Sequence, residues 1–334
     1  MKRDLIFALA ALVMFLTAAF ISGCTGGSIE EDEEEEEVVD PNAVRGAVIG
    51  YAAGWRDEPT AAQLDRLTHV MAFQIVPNAD GSLRTSGVPN WLDGFVSRAH
   101  AKNVKVSIAV GGWTNESPSS PSYAQAAGEN RAVFVNNLVN FVNEHNLDGI
   151  DIDWEYPQQA NGWNNFISLC GDLKTRLPGK RISAALSGST PSKSSFPGNV
   201  QSGIWTVLDA IHIMSYDMQN SWPTHSDANR AAKLIDDWAS WGDGQPNFSK
   251  DKLILGCAFY GYTGNSQIPY NQGGATGTDT PASLKQKVDH CYNKGYGGVM
   301  IWELSQDKDI NTTPELLDAI YKNTQAKGGY TARN

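Results

Sequence analysis

Asp148-Gly-Ile-Asp-Ile-Asp-Trp-Glu-Tyr-Pro157 places four carboxylates within ten residues at the end of an apolar run. Ile150 and Ile152 alternate with Asp151 and Asp153, the period of two that marks a β-strand. Along such a strand Asp151, Asp153 and Glu155 project from one side as an acidic ladder. Asp148 falls out of step with them, so a structural role is expected for it. Like charges this close raise one another's proton affinity, which keeps at least one carboxyl protonated at neutral pH. A carboxylic acid held beside a charged neighbour is what protonation of a leaving oxygen requires. Two plainer readings compete. A site for a hard cation draws its oxygen ligands from a flexible, glycine-containing loop, and a solvated turn has no need of the isoleucines. The alternation favours a buried strand over both.

Working outward, short apolar β-rich runs recur at 46–51, 69–73, 104–110, 149–153, 182–186, 210–214, 253–259 and 298–302. Segments of helical character separate most of them. In 131–145, for example, Val133, Phe134, Leu138, Phe141 and Val142 fall at helical spacing. Strand–helix alternation repeated eight times predicts an α/β fold, a (β/α)8 TIM barrel, in which functional residues gather at the carboxyl ends of the strands. Polar and aromatic residues do end these runs: Glu155 after the fourth, Tyr216 and Asp217 after the sixth, Trp302 after the eighth.

The decapeptide resembles the active-site strand of the family 18 glycoside hydrolases, the chitinase family, with its Asp-x-x-Asp-x-Asp-x-Glu pattern complete and Trp-Glu-Tyr-Pro following as in its chitinases. The resemblance runs over roughly residues 44 to 325. Ser107-Ile-Ala-Val-Gly111-Gly112-Trp113 is similar to the family's Ser-x-Gly-Gly segment with a longer spacer, and Met214-Ser-Tyr216-Asp217 to its Met-x-Tyr-Asp. By that resemblance, Glu155 is the general acid and base, Asp153 orients the substrate's acetamido group, and Asp151 shares a proton with Asp153. Tyr216 and Asp217 hold the acetamide and sugar. Tyr51 and Ser107 support Asp151, an ordinary core serine being the competing reading of Ser107, and Gly111 and Gly112 let the backbone pass close to the acidic strand. Phe73 and Met214 pack the site, Trp302 floors the cleavage subsite, and Trp113 stacks on the neighbouring sugar.

Trp55, Trp222, Tyr260 and Tyr262 follow strands and are further lining candidates, whereas Trp205, Trp238 and Trp241 sit in helix-like segments and are assigned to the core. The resemblance implies chitin or N-acetylglucosamine oligosaccharides as substrate, retention through the substrate's own acetamide, and no metal or organic cofactor. Residues 261–296 must also supply a helix, so they are too short for the α+β insertion that walls the cleft in some relatives; a shallow groove and endo cleavage are expected. Two alternatives stay open. An endo-β-N-acetylglucosaminidase acting on glycans or peptidoglycan would carry, in the glycan enzymes, another acid where Trp154 stands. A silent carbohydrate-binding barrel would typically lack one of the acids present here.

Outside the barrel, Met1-Lys-Arg precedes an apolar run from Leu5 to Ile21, followed by Ser22, Gly23 and Cys24. That order reads as an export signal, and Ile-Ser-Gly-Cys resembles a lipoprotein processing site with Cys24 as the lipidated residue; an uncleaved membrane anchor is the competing reading. Residues 30–37 are seven Glu and one Asp, a self-repelling tether. Subtracting those eight charges from the net −11 leaves −3, a mildly acidic remainder without a basic patch for nucleic acid. The expected organisation is a lipoprotein-type signal peptide at 1–23, a tether at 24–42 and a catalytic barrel at 43–334, acting outside the cytoplasm as a monomer. If Cys24 is lipidated, Cys170, Cys257 and Cys291 remain; a disulfide framework is not expected in so large a core, and a Cys257–Cys291 bridge stays open.

Overall fold

The computed structural model describes residues 46–158, 160–189, 200–218 and 224–328. The predicted signal peptide, Cys24, the acidic tether and Trp222 lie outside the described residues. The strands are β1 (Ala47–Ala53), β2 (His69–Pro77), β3 (Leu83–Arg84), β4 (Lys105–Gly111), β5 (Gly149–Asp153), β6 (Arg181–Ser187), β7 (Ala210–Met214), β8 (Leu253–Ala258), β9 (Tyr260–Thr263), β10 (Ser266–Pro269) and β11 (Gly298–Trp302). Eight of them pair in parallel around a closed ring, β1–β2–β4–β5–β6–β7–β8–β11 and back to β1. This is the expected (β/α)8 barrel. The remaining strands form two small additions: β3 pairs antiparallel with the end of β2, and β9 and β10 form a hairpin just past β8.

The helices are α1 (Ala61–Leu64), α2 (Leu92–Ala101), α3 (Pro121–Ala127), α4 (Arg131–Glu144), α5 (Gly162–Arg176), α6 (Ile204–Val207), α7 (Ala228–Gly242), α8 (Pro281–Lys294) and α9 (Glu315–Gln325). Their starts carry local signals. Thr60 and Gln63 form a capping box for α1, Thr280 and Ser283 one for α8, and the Asp227 side chain accepts from Arg230 N at the start of α7. Along α4, Phe134, Leu138, Phe141 and Val142 are buried as their spacing predicts. Val133 departs from the expectation and faces solvent, because the buried stripe continues through Val135 and Val139 instead.

The segment after β8 holds only the β9–β10 hairpin and α8 before β11, so no large insertion domain stands there. Trp205 and Trp238 are buried in the outer layer, with Trp241 packed against it. Cys170, Cys257 and Cys291 are all buried free thiols, which answers the bridge left open above, and burial pushes the Cys257 thiol up to about 12. Among the described residues no helix is long and apolar enough to cross a membrane.

Asp148 sits at the amino end of β5, away from the ladder. Its carboxylate takes hydrogen bonds from Val106 N at 2.8 Å and lies 2.7 Å from His100 Nε2, tying β5 to β4 and α2. At the other end of β4, Gly111 (φ +116°) and Gly112 (φ +88°) bend the chain around β5. Gly112 N donates to Asp153 O at 2.6 Å, and a Cβ on Gly111 would lie 2.1 Å from that same oxygen. Gly111→Ala is therefore expected to destabilise the barrel by roughly 2–5 kcal/mol, from backbone strain plus overpacking. A chemical denaturation midpoint unchanged from wild type would contradict this close approach.

Candidate active site

Asp151 and Asp153 point into the barrel from β5, and Glu155 follows just beyond the strand at the mouth. Asp151 is fully buried. The Tyr51 hydroxyl donates to its Oδ2 at 2.5 Å, and Ser183 Oγ donates to its Oδ1 at 2.6 Å. The expected bond from Ser107 is not formed. Strand register explains the correction: Ala109 lies opposite Asp151 on β4, while Ser107 pairs with Gly149 lower in the barrel. Ser183 stands opposite Asp151 on the other neighbour, β6, and takes the supporting place.

Asp153 is buried, and its Oδ1 meets no hydrogen-bond partner among the described residues. Burial first, then the charges of Glu155 and Asp151, holds its carboxyl well above the usual carboxylate range. Glu155 is pushed up to about 7, chiefly by burial; the Tyr156 hydroxyl opposes this by hydrogen-bonding the carboxylate, and Asp217 adds to it. The two carboxyls thus keep protons at a pH where ordinary carboxylates have lost them, chiefly because burial disfavours their charge, with the like charges expected from the sequence a smaller addition.

Around the ladder lies an aromatic lining. Trp302 packs edge-on against Phe73 with ring centroids 4.8 Å apart and lies 5.8 Å from Tyr51; Trp55 meets the far edge of Phe73 at 5.8 Å. Met214 and Tyr216 join the same inner cluster. The Tyr216 hydroxyl proton is held tightly by burial and by the nearby charges of Asp153, Asp217 and Glu155. Trp55 and Trp113 are among the few large apolar side chains left exposed, Trp113 at 63%. Such flat apolar faces bordering a polar cleft suit pyranose rings.

Asp217 is fixed from below in a way the sequence alone did not reveal. The Tyr260 hydroxyl donates to its Oδ2 and the Tyr262 hydroxyl to its Oδ1, each at 2.8 Å. Tyr260 and Tyr262, expected as lining residues, act instead as clamps on this carboxylate. The other partners missed are Ser183, Tyr156 and His212, the last reaching both Tyr51 and Asp151 from β7. Alternation was the available signal for two of them. His212 shares its parity with Ala210 and Met214, and Ser183 with Arg181 and Ala185, which puts both on the inner face. Among the described residues no group of three or more His, Cys, Asp or Glu is arranged to hold a metal ion.

A closed parallel barrel carrying proton-retaining carboxylates at its strand ends, under an aromatic lining, has the layout of a glycoside-hydrolase barrel. The profile described as Glycosyl hydrolases family 18 matches residues 47–307, and the chain belongs to that family. It is 28% identical over 244 residues to a chitinase-like effector of Moniliophthora perniciosa, covering 64% of this chain and 55% of that protein. It is 27% identical over 274 residues to Chitinase 1 of Aphanocladium album, covering 64% of each. This chain therefore spans less than two thirds of either relative's length. A chitinase of solved structure from Bacteroides thetaiotaomicron has the same fold, with a TM-score of 0.72 at 22% identity over 85% of this chain and 98% of that one.

Proposed function

We propose that this chain is a chitinase that hydrolyses β-1,4-linked N-acetylglucosamine polymers with retention, using the substrate's acetamido group as nucleophile. The observation that carries the reading is Glu155, an acid pushed up to about 7 at the barrel mouth directly above Asp153. Glu155 gives its proton to the glycosidic oxygen as the C1–O bond breaks, and the acetamido oxygen closes on C1 to form an oxazolinium ion. Asp153 holds the acetamide N–H, Tyr216 its carbonyl, and the single negative charge of the Asp151–Asp153 pair stabilises the cation. Water then attacks C1 while the Glu155 carboxylate takes its proton; the oxazoline opens and the starting acid is restored. Trp302 floors the reacting sugar, and the exposed Trp113 and Trp55 offer further faces on which sugars stack. The short β9–β10 hairpin in place of a walling domain supports endo cleavage. Residues 1–23 as an export signal, Cys24 as a lipid anchor and the acidic tether would carry the barrel, acting as a monomer, outside the cytoplasm.

The test uses N-acetylglucosamine hexamer and its deacetylated counterpart, with product anomers resolved before mutarotation. β-Anomeric di- to tetrasaccharides from the acetylated hexamer alone are expected. Equal cleavage of the deacetylated hexamer would eliminate acetamide participation, and products released only from chain ends would eliminate the endo mode.

A further inference from the structure

Below the ladder, the barrel interior holds an imidazole for which the chemistry above has no use. His212 lies in the middle of β7, fully buried. Its Nδ1 is 2.9 Å from the Tyr51 hydroxyl and 3.2 Å from Asp151 Oδ1, while Nε2 has no hydrogen-bond partner among the described residues. The Tyr51 hydroxyl has one proton and commits it to Asp151 Oδ2 at 2.5 Å. Its oxygen is then free to accept, and the hydrogen that it accepts must come from Nδ1. The opposite arrangement needs a proton on Asp151 and an N–H on Nε2, a buried donor with nothing to bond. Nε2 is without a partner among the described residues in either tautomer, so the choice rests on the commitment of the Tyr51 proton to Asp151. The geometry therefore selects the neutral tautomer with hydrogen on Nδ1.

That choice bears on where the charge of the aspartate pair resides. With hydrogen on Nδ1, Asp151 takes hydrogen bonds from two donors, Tyr51 of β1 and Ser183 of β6, and His212 of β7 backs the first of them by donating to the Tyr51 oxygen. Asp153 has no comparable set, and its Oδ1 is unbonded. The other groups whose charge His212 feels are Arg181 of β6 and His69 of β2, and β8 presents the apolar Ile254 opposite it. Desolvation pushes the imidazole down to about 4, which keeps it neutral where the enzyme would work.

We infer that His212 is a positioning residue whose Nδ1–H, donated to the Tyr51 oxygen, strengthens the Tyr51 member of the two-donor cradle on Asp151 and so keeps the pair's one negative charge there at rest, with the shared proton on Asp153. This rests on the proposed reaction. As positive charge develops at C1, the proton passes from Asp153 to Asp151 and the negative charge moves the other way, toward the cation. The cradle on Asp151 then sets how strongly the pair resists taking a second proton.

The experiment has a substrate-free arm and a kinetic arm. In the full chain labelled with 15N-histidine, the resonance lost in His212→Asn is expected to report hydrogen on Nδ1 and no protonation between pH 5 and 8; an Nε2–H tautomer or a titrating ring overturns the inference. In His212→Leu, the acidic limb of kcat/KM is expected to move up by roughly half to one pH unit, which is about three- to tenfold lost activity on that limb, because the Tyr51 donor to the charge loses the hydrogen bond behind it. His212→Asn, whose side-chain N–H falls where Nδ1–H stood, is expected to restore the limb. A purely packing role would lower activity evenly at all pH values, and that result overturns the inference even if both variants are less stable. Wild type that shows the Nδ1–H tautomer yet leaves the hexamer intact refutes the proposed reaction while supporting the cradle.

Discussion

Glu155→Gln is expected to lower kcat on N-acetylglucosamine oligomers about 10³–10⁴-fold with little change in KM. General acid or base assistance is worth about 10²–10⁴-fold, and one carboxyl serves in both halves of this reaction. Glutamine keeps the size and the hydrogen bond to Tyr156 but has no proton to give. Because the leaving group needs that proton, wild-type kcat/KM should fall as pH rises through about 7, where Glu155 ionises. An aryl glycoside with an acidic leaving group needs less proton assistance, so it should lose less in the first step. Steady-state kinetics on both substrates checks this. A variant within tenfold of wild type on the oligomer would remove Glu155 from the mechanism.

Asp153→Asn is the second large effect. The asparagine can still bond an acetamide but can carry no charge, and losing one preorganised electrostatic partner of a transition state costs about 10²–10³-fold in kcat. Stability should move the other way. The folded-state proton affinity of Asp153 is raised above its usual value of 3.8 by burial and by Glu155 and Asp151. A carboxyl raised in this manner leaves stability intact below its unfolded value, and removes stability as pH climbs from there toward the folded value. Asparagine escapes that loss, so the variant should unfold at a temperature on the order of 3 °C higher at pH 7, with no gain near pH 3. Thermal unfolding at both pH values reads the difference; a gain of equal size at both would mean the ladder is not the source of strain.

The acidic ladder and the barrel were legible for the same reason: period two is a local property. The runs at 149–153, 210–214 and 298–302 match β5, β7 and β11 residue for residue. β2 runs on to Pro77 because its last residues pair with β3, a two-residue strand too short to leave a pattern. Ser107 was misassigned because motif likeness says nothing about register, and whether a serine on β4 or on β6 faces Asp151 depends on pairing between strands distant in sequence. The Tyr260 and Tyr262 clamps were hidden for a related reason. The two tyrosines stand two apart on β9, and only the packing of that strand against the turn after β7 brings both hydroxyls onto Asp217, which lies more than forty residues earlier.

The polar stack inside the barrel has a practical consequence for anyone reshaping this protein. Tyr51, Asp151, Ser183 and His212 occupy space that aliphatic side chains fill in a dry barrel core. Swapping any one of them for a hydrocarbon would strand the hydrogen-bond partners of the others. These four positions are thus closed to thermostabilising redesign. The sleeve between strands and helices is open to it, and its solvent side even offers a starting handle in Val133, a β-branched, half-exposed residue on α4 that a charged helix former could replace without touching the chemistry.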